Sequence, residues 1–273
     1  MNSSEKLRLL EQISETAFKA GKEILSVYET DFDVDFKLDE SPLTLADQKA
    51  HQTIVDDLKT HSFPILSEEG KTIPYEERKE WEYFWMVDPL DGTKEFVKRN
   101  GEFTVNIALI HNQQSLLGVI YVPVTDELYI GGEGIGAFKI PKWGEKLSTE
   151  PLQHWLNDEH QLPKKSKRPF TIVGSRSHMS PETEAFIEEK RKEKGEVELI
   201  SKGSSLKLCM VAEGRADCYP RFAPTMEWDT AAGQAIVEAM GGKVMEWETK
   251  EIMKYNRKNL LNDWFLVSAI KDN

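Results

Sequence analysis

An apolar run ends in two aspartates in Trp85-Met86-Val87-Asp88-Pro89-Leu90-Asp91-Gly92-Thr93. The run predicts a buried strand, the proline bends the chain after it, and the glycine predicts a turn. The carboxylates of Asp88 and Asp91 can therefore converge on one point at the strand end. Taken alone, Asp91-Gly92 is also an ordinary turn signal, so a structural and a functional interpretation both stay open.

Two more carboxylates occupy comparable places elsewhere in the chain. Glu68 lies in Ser67-Glu68-Glu69-Gly70, directly after the apolar run Phe63-Pro64-Ile65-Leu66, so two strand ends can bring acidic groups together. Asp229 lies in Glu227-Trp228-Asp229-Thr230-Ala231-Ala232-Gly233, which opens a predicted helix. An aspartate there is also a good N-cap, and capping is the alternative interpretation. The small alanines that follow would let this helix pack closely against its neighbours.

These four carboxylates need positive charge nearby if the fold brings them together. Two ionised carboxylates about 4 Å apart repel by about 4 kcal/mol at an effective dielectric constant of about 20. An all-oxygen ligand set without histidine or thiolate suits Mg²⁺, and two such ions would bring the group near neutrality. Open coordination positions would remain for phosphate oxygens and water, so the pattern predicts a site for phosphate chemistry.

The net charge of the chain restricts the classes of molecule that it can bind. The 273 residues include 35 Lys and Arg against 47 Asp and Glu, a formal net charge of -12. That balance argues against a nucleic acid polymer or an anionic membrane surface as partner. The basic run Lys164–Arg168 is interpreted as a solvated linker, because it is short and no aromatic residues alternate with its cations. An anionic substrate would need local cationic side chains.

Cysteine content and hydropathy bear on location. Cys209 and Cys218 are too far apart in sequence for a redox pair and predict buried thiols in a reducing cytoplasm. The first residues show no export signal, since charge appears by Glu5. The uncharged stretch 103–125 is interrupted by His111–Gln114 and is interpreted as a hairpin, so no transmembrane segment is expected. We expect a cytoplasmic protein, with peripheral contact at the inner membrane as the alternative.

The secondary-structure pattern divides the chain into two halves. Apolar residues at helical spacing predict helices over residues 5–28 and 46–60, and β-type runs predict antiparallel strands between residues 84 and 130. After a polar, basic segment, strands and helices alternate. The predicted domains are an α+β domain over residues 1–168 and an α/β domain over residues 169–273.

A glycine-rich segment offers one competing interpretation. Gly132-Glu133-Gly134-Ile135-Gly136-Ala137 follows a predicted strand and matches a loose dinucleotide-binding pattern. The next residues, Phe138-Lys139-Ile140-Pro141, are typical of a strand rather than of the helix whose amino end would hold a pyrophosphate. The prediction is therefore a hairpin.

Three segments together resemble a known family. The segments Asp88–Thr93, Ser67–Gly70 and Trp228–Gly233 are similar to motifs of the inositol monophosphatase superfamily, Mg²⁺-dependent and Li⁺-sensitive phosphatases. The match spans nearly the whole chain in the family's order. The resemblance implies a layered αβαβα sandwich of the sugar-phosphatase type, with the metal site between the α+β and α/β halves.

The resemblance also implies roles at the metal site. One Mg²⁺ would bind Glu68, Asp88 and the backbone carbonyl of Leu90. A second would bind Asp88, Asp91 and Asp229, and a third, looser ion would lie near Glu68. Glu68 is therefore counted with the catalytic residues as well as with the metal ligands.

Two further residues match the family's water-activating pair. Asp47, in Thr44-Leu45-Ala46-Asp47, and Thr93 would together orient the attacking water and remove its proton. The alternative for Asp47 is the N-cap of the second helix. The backbone N–H groups of Gly92 and Thr93 would hold the scissile phosphate at a helix start.

Longer stretches resemble the bacterial 3'(2'),5'-bisphosphate nucleotidase branch of the superfamily. Lys94 and Glu95 stand where inositol phosphatases usually carry a threonine and an asparagine. The similarity continues through Phe96, Lys98–Ala108, Gly174–His178, Gly203–Lys207 and Tyr219–Phe222. The resemblance implies that the 3'-phosphate of adenosine 3',5'-bisphosphate is removed to give AMP, and that the 5'-phosphosulfate relative is also a substrate.

Within this branch, nucleotide contacts are implied for His178, Ser204, Lys207 and Arg221. The alternatives are a solvated loop residue for His178, a helix cap for Ser204 and surface charges for the two cations. Superfamily relatives are often dimers, so the resemblance makes a homodimer one option, and the sequence itself does not give the oligomeric state. Two other functions stay open: an inositol or small sugar-phosphate phosphatase on the same scaffold, and a non-catalytic metal or nucleotide sensor, which would not require the water-activating pair.

Overall fold

The computed structural model describes residues 1–30, 42–164, 167–174 and 180–269. In these ranges the helices are α1 (Ser3–Tyr28), α2 (Pro42–Leu58), α3 (Tyr75–Arg78), α4 (Thr93–Val97), α5 (Trp143–Leu147), α6 (Pro181–Lys194), α7 (Leu206–Ala212) and α8 (Glu227–Ala239), with a 3₁₀ turn at Leu152–Trp155. The strands are β1 (Ile65–Ser67), β2 (Tyr83–Asp91), β3 (Thr104–His111), β4 (Gln114–Val122), β5 (Glu127–Gly132), β6 (Gly136–Pro141), β7 (Phe170–Gly174), β8 (Val197–Ser201), β9 (Cys218–Arg221), β10 (Lys243–Glu246) and β11 (Phe265–Ser268).

The strands form two sheets. The first has the order β1-β2-β3-β4-β5-β6 and is antiparallel except for the parallel pair β1 and β2. The second has the order β10-β11-β9-β7-β8, in which β7 runs parallel to both β9 and β8. Ser67 pairs with Val87, so the residues that follow β1 lie beside Asp88. Parallel pairing thus brings two acidic segments to one sheet edge.

The layers follow from the alternation of side chains along the strands. In β2, Trp85 and Val87 face a core shared with α1 and α2, whereas Phe84 and Met86 face a second core with α7 and α8. The second sheet closes that core from the far side, and α6 covers the sheet's outer face through Phe186. The order is helix, sheet, helix, sheet, helix, which confirms the predicted αβαβα sandwich.

Helix α8 lies in backbone contact with the first sheet. A Cβ at Gly118 of β4 would lie 2.2 Å from the carbonyl oxygen of Ala232. A Cβ at Gly131 of β5 would lie 2.5 Å from the Cα of Ile236. Only glycine fits at these two strand positions without displacing the helix, so they fix the depth of the helix that carries Asp229.

Gly118→Ala should lower the free energy of unfolding by about 2 kcal/mol or more, because the new methyl group meets helix backbone rather than a movable side chain. The matched control is Gly174→Ala at the end of β7, where nothing lies within 4 Å of an added Cβ. Urea denaturation of both variants measures the difference. Equal unfolding midpoints would contradict the close packing of α8.

The observed elements differ from the prediction at several boundaries. Helix α2 begins at Pro42 instead of Ala46, so Asp47 lies inside the helix and its interpretation as an N-cap is wrong. Helix α8 begins at Glu227, which makes Asp229 its third residue rather than its N-cap. The sequence pattern misses β8 and β10, because both are edge strands of the second sheet without a regular apolar alternation.

The glycine-rich segment forms the turn between β5 and β6, where Gly132 pairs with Gly136, and the hairpin prediction is confirmed. Each sheet takes its strands from one side of residue 168, but α8 contacts strands of both sheets. The division into two domains at that residue stays a prediction. None of the helices in the described ranges has the length and hydropathy of a membrane span.

Candidate active site

The end of β2 supplies two carboxylates. Asp88 is 1% exposed, and its Oδ1 accepts a hydrogen bond of 3.1 Å from the backbone N–H of Leu90. The register with β3 shifts between Asp88 and Asp91, because Pro89 cannot continue the hydrogen-bond ladder. Asp91 accepts a hydrogen bond from the backbone N–H of Ser205. One carboxylate is thus buried in the first half, and the other contacts the loop before α7.

Glu68 lies beside this strand end. Its backbone N–H donates to the carbonyl oxygen of Val87 at 3.1 Å. The hydroxyl of the preceding Ser67 lies 2.9 Å from Nδ1 of His51 on α2. The turn that carries Glu68 is therefore held between the sheet and α2.

Four carboxylates, here called the carboxylate cluster (Glu68, Asp88, Asp91 and Asp229), act on one another across the two halves. Burial raises the pKa of Asp88 well above its usual range, and the other three, Asp91 first, raise it further. Burial and the charge of Asp91 raise the pKa of Asp229 to about 8. The pKa of Glu68 is raised by the same two causes. The structure therefore brings together acidic groups from three separate segments of sequence.

Asp47 lies close to the carboxylate cluster. It is 8% exposed, and burial, then Glu69 and Glu68, raise its pKa to about 8. Thr93 is the first residue of α4 and is exposed. Helices α2 and α4 are in contact. No hydrogen bond joins the Asp47 and Thr93 side chains in the part of the chain that the structure describes, so their pairing stays a prediction.

The carboxylate cluster fits a hard divalent cation by donor type and by electrostatics. Among the described residues, no three Asp, Glu, His or Cys side chains are already arranged around one point as a metal site. The fit rests on the mutual pKa increases and on the all-oxygen donors, since a cation would relieve the repulsion that protonation otherwise relieves. The ligands predicted from the sequence are the four carboxylates and the carbonyl oxygen of Leu90, and these assignments stay predictions.

The metal-free protein should be more stable at pH 5.5 than at pH 8.5. Asp47 and Asp229 have pKa values of about 8 in the fold against an ordinary value of 3.8. Between those values the folded state binds more protons than the unfolded state, so the free energy of unfolding falls as pH rises towards 8 and through it.

Thermal unfolding in EDTA measures this dependence, and Asp229→Asn should weaken it. Mg²⁺ should stabilise the protein most at pH 8.5, where it replaces the lost protons. A melting temperature in EDTA that rises from pH 5.5 to pH 8.5 would be the opposite of what burial of these acids requires.

A cleft opens between the end of β2 and the start of α8. Its cavity volume is about 140 Å³. The residues predicted from sequence that line it are Asp91, Gly92, Ser204, Lys207, Arg221 and Asp229. Acidic and cationic groups from both halves of the chain therefore share one cleft.

Lys207 is a buried cation in this cleft. Its ammonium donates to the carbonyl oxygens of Ser204 and, at 3.4 Å, of Lys202. Burial lowers its pKa to about 8, and the charge of Asp91 opposes that decrease. Because Lys207 is only 7% exposed, its interpretation as a surface charge is wrong.

Ser204 and Arg221 present polar atoms without partners. Ser205, not Ser204, occupies the N-cap of α7, so the capping interpretation of Ser204 is wrong. Within the described residues, Ser204 Oγ and Arg221 Nε are buried and have no hydrogen-bond partner. Arg221 Nη2 donates to the carbonyl oxygen of Pro224 at 2.9 Å. Buried donors without partners in a cleft are typical of a ligand site.

The predicted phosphate cradle is built on a tight turn. Gly92 has φ +102°, and a Cβ there would lie 3.1 Å from the carbonyl oxygen of Glu102. Helix α4 has only five residues, so its dipole is small. The predicted phosphate binding therefore depends on hydrogen bonds from the backbone N–H groups. Phosphate binding by Gly92 and Thr93 stays a prediction. His178 lies outside the described residues, and its role stays a prediction too.

Comparison with known proteins decides the family. The chain matches the inositol monophosphatase family over residues 6–270. It belongs to that family. It is 43% identical to the 3'(2'),5'-bisphosphate nucleotidase CysQ of Escherichia coli (strain K12) over 264 residues, 95% of this chain and 99% of that protein. The crystal structure of CysQ from Bacteroides thetaiotaomicron has a TM-score of 0.90 at 52% identity and covers 98% of this chain and 99% of that one.

A more distant structure supports the fold alone. An inositol monophosphatase from Zymomonas mobilis has a TM-score of 0.72 at 19% identity, covering 98% of this chain and 94% of that one. The inositol monophosphatase family consists of metal-dependent phosphatases, which agrees with the oxygen donors gathered at the end of β2.

Several cleft residues of this family member received no catalytic, metal or substrate role from the sequence, although three of them lie in stretches that carry the family resemblance. They are Lys94, Glu95, Lys202, Tyr219 and Thr225. Lys94 and Glu95 directly follow the Asp88–Thr93 segment, and Lys202 precedes Gly203, so adjacency to a motif was the available signal. Thr225 lies in an irregular loop, and only the fold places it in the cleft.

Proposed function

We propose that this protein is a 3'(2'),5'-bisphosphate nucleotidase that removes the 3'-phosphate of adenosine 3',5'-bisphosphate, giving AMP and phosphate. The 5'-phosphosulfate analogue is a second substrate of the same site. One observation carries the proposal: Asp91 and Asp229 share a cleft with the cations Lys207 and Arg221. The CysQ nucleotidases, at 43% identity, support a nucleotide as the substrate class. The fold alone does not choose between phosphatases.

Mg²⁺ is the metal that the proposal assigns to the carboxylate cluster. Glu68, Asp88 and the carbonyl oxygen of Leu90 would hold one ion. Asp88, Asp91 and Asp229 would hold a second, with a third, looser ion near Glu68. When bound, Mg²⁺ acidifies a water molecule and stabilises the negative charge that develops on oxygen as the phosphate bond breaks.

Asp47 and Thr93 handle the proton of the attacking water in this proposal. Burial is the largest cause of the raised pKa of Asp47, and a buried carboxylate is a stronger base than an exposed aspartate. The Thr93 hydroxyl orients the water. The Asp47 carboxylate accepts the proton while the water oxygen bonds to phosphorus and the bond from phosphorus to the 3'-oxygen breaks. The departing 3'-oxygen takes a proton from solvent water and becomes the 3'-hydroxyl of AMP.

Direct attack by water is favoured over a cysteine nucleophile. Cys209 and Cys218 are free and buried. Burial raises the pKa of the Cys209 thiol well above its usual range and that of Cys218 to about 12. Both side chains therefore stay protonated thiols, which are poor nucleophiles.

The rest of the nucleotide binds through cationic and hydroxyl side chains. Lys207 and Arg221 supply local positive charge in a chain with a net charge of -12. A second phosphate that the metals do not reach requires such groups, and charge-assisted hydrogen bonds are the strong ones. Ser204 Oγ, buried without a partner, is a third contact. His178 completes the contact set on the family resemblance.

Arg221→Met should lower kcat/KM for adenosine 3',5'-bisphosphate by about 30-fold, equivalent to about 2 kcal/mol for a hydrogen bond to a charged group. The value for adenosine 3'-monophosphate, which lacks the second phosphate, should stay within about threefold. Steady-state phosphate release with both substrates measures the ratio. Arg215→Met is the control, because Arg215 is exposed and lies outside the cleft. Equal losses of kcat/KM for the two substrates would contradict the assignment of Arg221 to the second phosphate.

The proposed cellular location and oligomeric state rest on the sequence. The two free, buried cysteines support a reducing compartment, and we place the protein in the cytoplasm on that ground. Peripheral contact with the inner membrane stays the alternative. The homodimer is proposed from the family resemblance alone, and sedimentation of the purified protein tests it.

A phosphate-release assay with three substrates tests the function. Adenosine 3',5'-bisphosphate, inositol 1-phosphate and fructose 1,6-bisphosphate are compared with Mg²⁺, with EDTA, and with Mg²⁺ plus Li⁺. We expect fastest release from the nucleotide, loss in EDTA and inhibition by Li⁺. Faster release from either of the other substrates would favour the sugar-phosphate alternative. Nucleotide binding without any release would favour the sensor.

A further inference from the structure

A second buried acid lies at the start of α8 and serves a different purpose from Asp229. Glu227 is 0% exposed and precedes Asp229 by two residues. Its carboxylate accepts hydrogen bonds from the backbone N–H of Asn256 at 2.6 Å and from the backbone N–H and Nε of Arg257, both at 3.1 Å. These bonds fix both oxygens of Glu227 to the loop 255–263.

Asn256 extends this connection to the first half of the chain. Its Oδ1 accepts a hydrogen bond of 2.7 Å from Nη1 of Arg78, and its Nδ2 donates to the Arg78 carbonyl oxygen at 2.6 Å. Arg78 is 3% exposed, and its Nη2 donates to the carbonyl oxygen of Lys258 at 3.0 Å. Arg78 ends α3, which lies in sequence between Glu68 and Asp88. Glu227, Asn256 and Arg78 thus form a continuous buried chain of hydrogen bonds.

The same loop holds the backbone group that orients Asp229. The Asp229 carboxylate accepts a hydrogen bond of 2.8 Å from the backbone N–H of Met226. The Met226 carbonyl oxygen accepts one of 2.8 Å from Nδ2 of Asn262, whose backbone N–H donates to Thr225 at 2.8 Å. The loop therefore fixes the residue that precedes α8 as well as its first residue.

We propose that Arg78, Asn256 and Glu227 are positioning residues that set the place of Asp229 relative to the carboxylates of the first half. The inference rests on the proposed function. Carboxylates at about 4 Å repel by about 4 kcal/mol at an effective dielectric constant of about 20, so they separate unless the elements that carry them are held. Metal ligands must also be placed within about 0.2 Å of the ideal distances. A rigid buried link between α3 and α8 meets both requirements.

Asn256→Gly tests the link without strain, because Asn256 has φ +66°, which glycine adopts freely. We expect the Kd for Mg²⁺, measured by calorimetry on the substrate-free protein, to rise about tenfold. That is the lower end of the effect of removing a direct partner of a metal ligand, because Asn256 acts on Asp229 through Glu227. The Mg²⁺ concentration for half-maximal phosphate release should rise equally. At saturating Mg²⁺, kcat and the KM for adenosine 3',5'-bisphosphate should both recover to within about threefold, a split that simple destabilisation does not produce.

The control is Arg168→Gln, which removes another partly buried guanidinium, bonded to the carbonyl oxygen of Gly214 and to Asp217 away from the start of α8. It should leave the Mg²⁺ affinity unchanged. If Asn256→Gly does not fold, Arg78→Lys replaces it. Lysine keeps the cation but lacks the planar fork whose two nitrogens bond the Asn256 side chain and the Lys258 carbonyl oxygen, so the Kd should rise about threefold or more.

The outcomes separate this inference from the proposed function. Wild-type Mg²⁺ affinity in folded Asn256→Gly or Arg78→Lys overturns the positioning role alone. An equal loss of affinity in Arg168→Gln overturns it as well, because the effect would then be general destabilisation. A wild-type protein that neither binds Mg²⁺ nor releases phosphate overturns the proposed function itself.

Discussion

Asp88→Asn should lower the rate of phosphate release from adenosine 3',5'-bisphosphate by about 1,000-fold or more, since loss of metal-assisted charge stabilisation costs about 4 kcal/mol. The melting temperature of the metal-free protein should rise at the same time. Asp88 is buried with a raised pKa, so ionising it without a cation costs stability that a neutral amide of the same shape does not. A substitution that lowers activity and raises the stability of the metal-free protein is typical of a functional site.

The experiment compares phosphate release in Mg²⁺ with thermal unfolding in EDTA. Asp56→Asn is the control, because Asp56 is an exposed aspartate on α2 that bonds to Gln52 and Lys59. It should change neither quantity appreciably. Unchanged turnover in Asp88→Asn would refute the metal assignment. Loss of both activity and metal-free stability would make Asp88 a structural residue.

Asp47→Asn should lower kcat by about 100-fold or more, the typical contribution of a general base. The Kd for Mg²⁺ and the KM for the nucleotide should stay within about threefold, because Asp47 is assigned to the water proton and not to metal or substrate. Its raised pKa of about 8 is set by burial, Glu69 and Glu68 in the metal-free protein. Bound Mg²⁺ would offset the two glutamates and lower it, which keeps Asp47 ionised as a base.

The pH profile distinguishes a base from a structural acid. The rate of Asp47→Asn should increase with pH over a wider range than that of the wild type, since solvent hydroxide then replaces the missing carboxylate. Asp57→Asn on the same helix is the control; Asp57 bonds to Thr16 and Lys19, on the α1 side of α2. If the Mg²⁺ affinity falls by as large a factor as kcat, Asp47 is a metal ligand and not the base that accepts the proton of the water.

Much of the candidate site follows from the sequence because its acids sit in recognisable turns. The proline and glycine around Asp88 and Asp91, and the apolar run before Glu68, indicate strand ends, and the fold places them side by side. Asp229 lies 138 residues beyond Asp91. Only the family resemblance linked them at the sequence level, because the depth of α8 depends on two distant glycines that periodicity does not reveal.

The positioning loop had no comparable signal. Asn256 and Arg257 lie in an irregular segment, and Arg78 looks like an exposed charge in a run of lysines and glutamates. Burial of Arg78 at 3% exposure arises from tertiary packing alone. Edge strands β8 and β10 were missed for a related reason: their burial follows no two-residue period, so they show neither an apolar alternation nor a continuous apolar run.

The central claim is that Asp229 of α8 and the carboxylates at the end of β2 bind divalent cations between them. Anomalous diffraction from crystals soaked in Mn²⁺, a substitute for Mg²⁺, tests it most directly. We expect at least one strong peak within bonding distance of both Asp88 and Asp229, and its loss in Asp88→Asn crystals. A map without a peak between these two carboxylates, in crystals of an enzyme that still hydrolyses the nucleotide, would contradict the account.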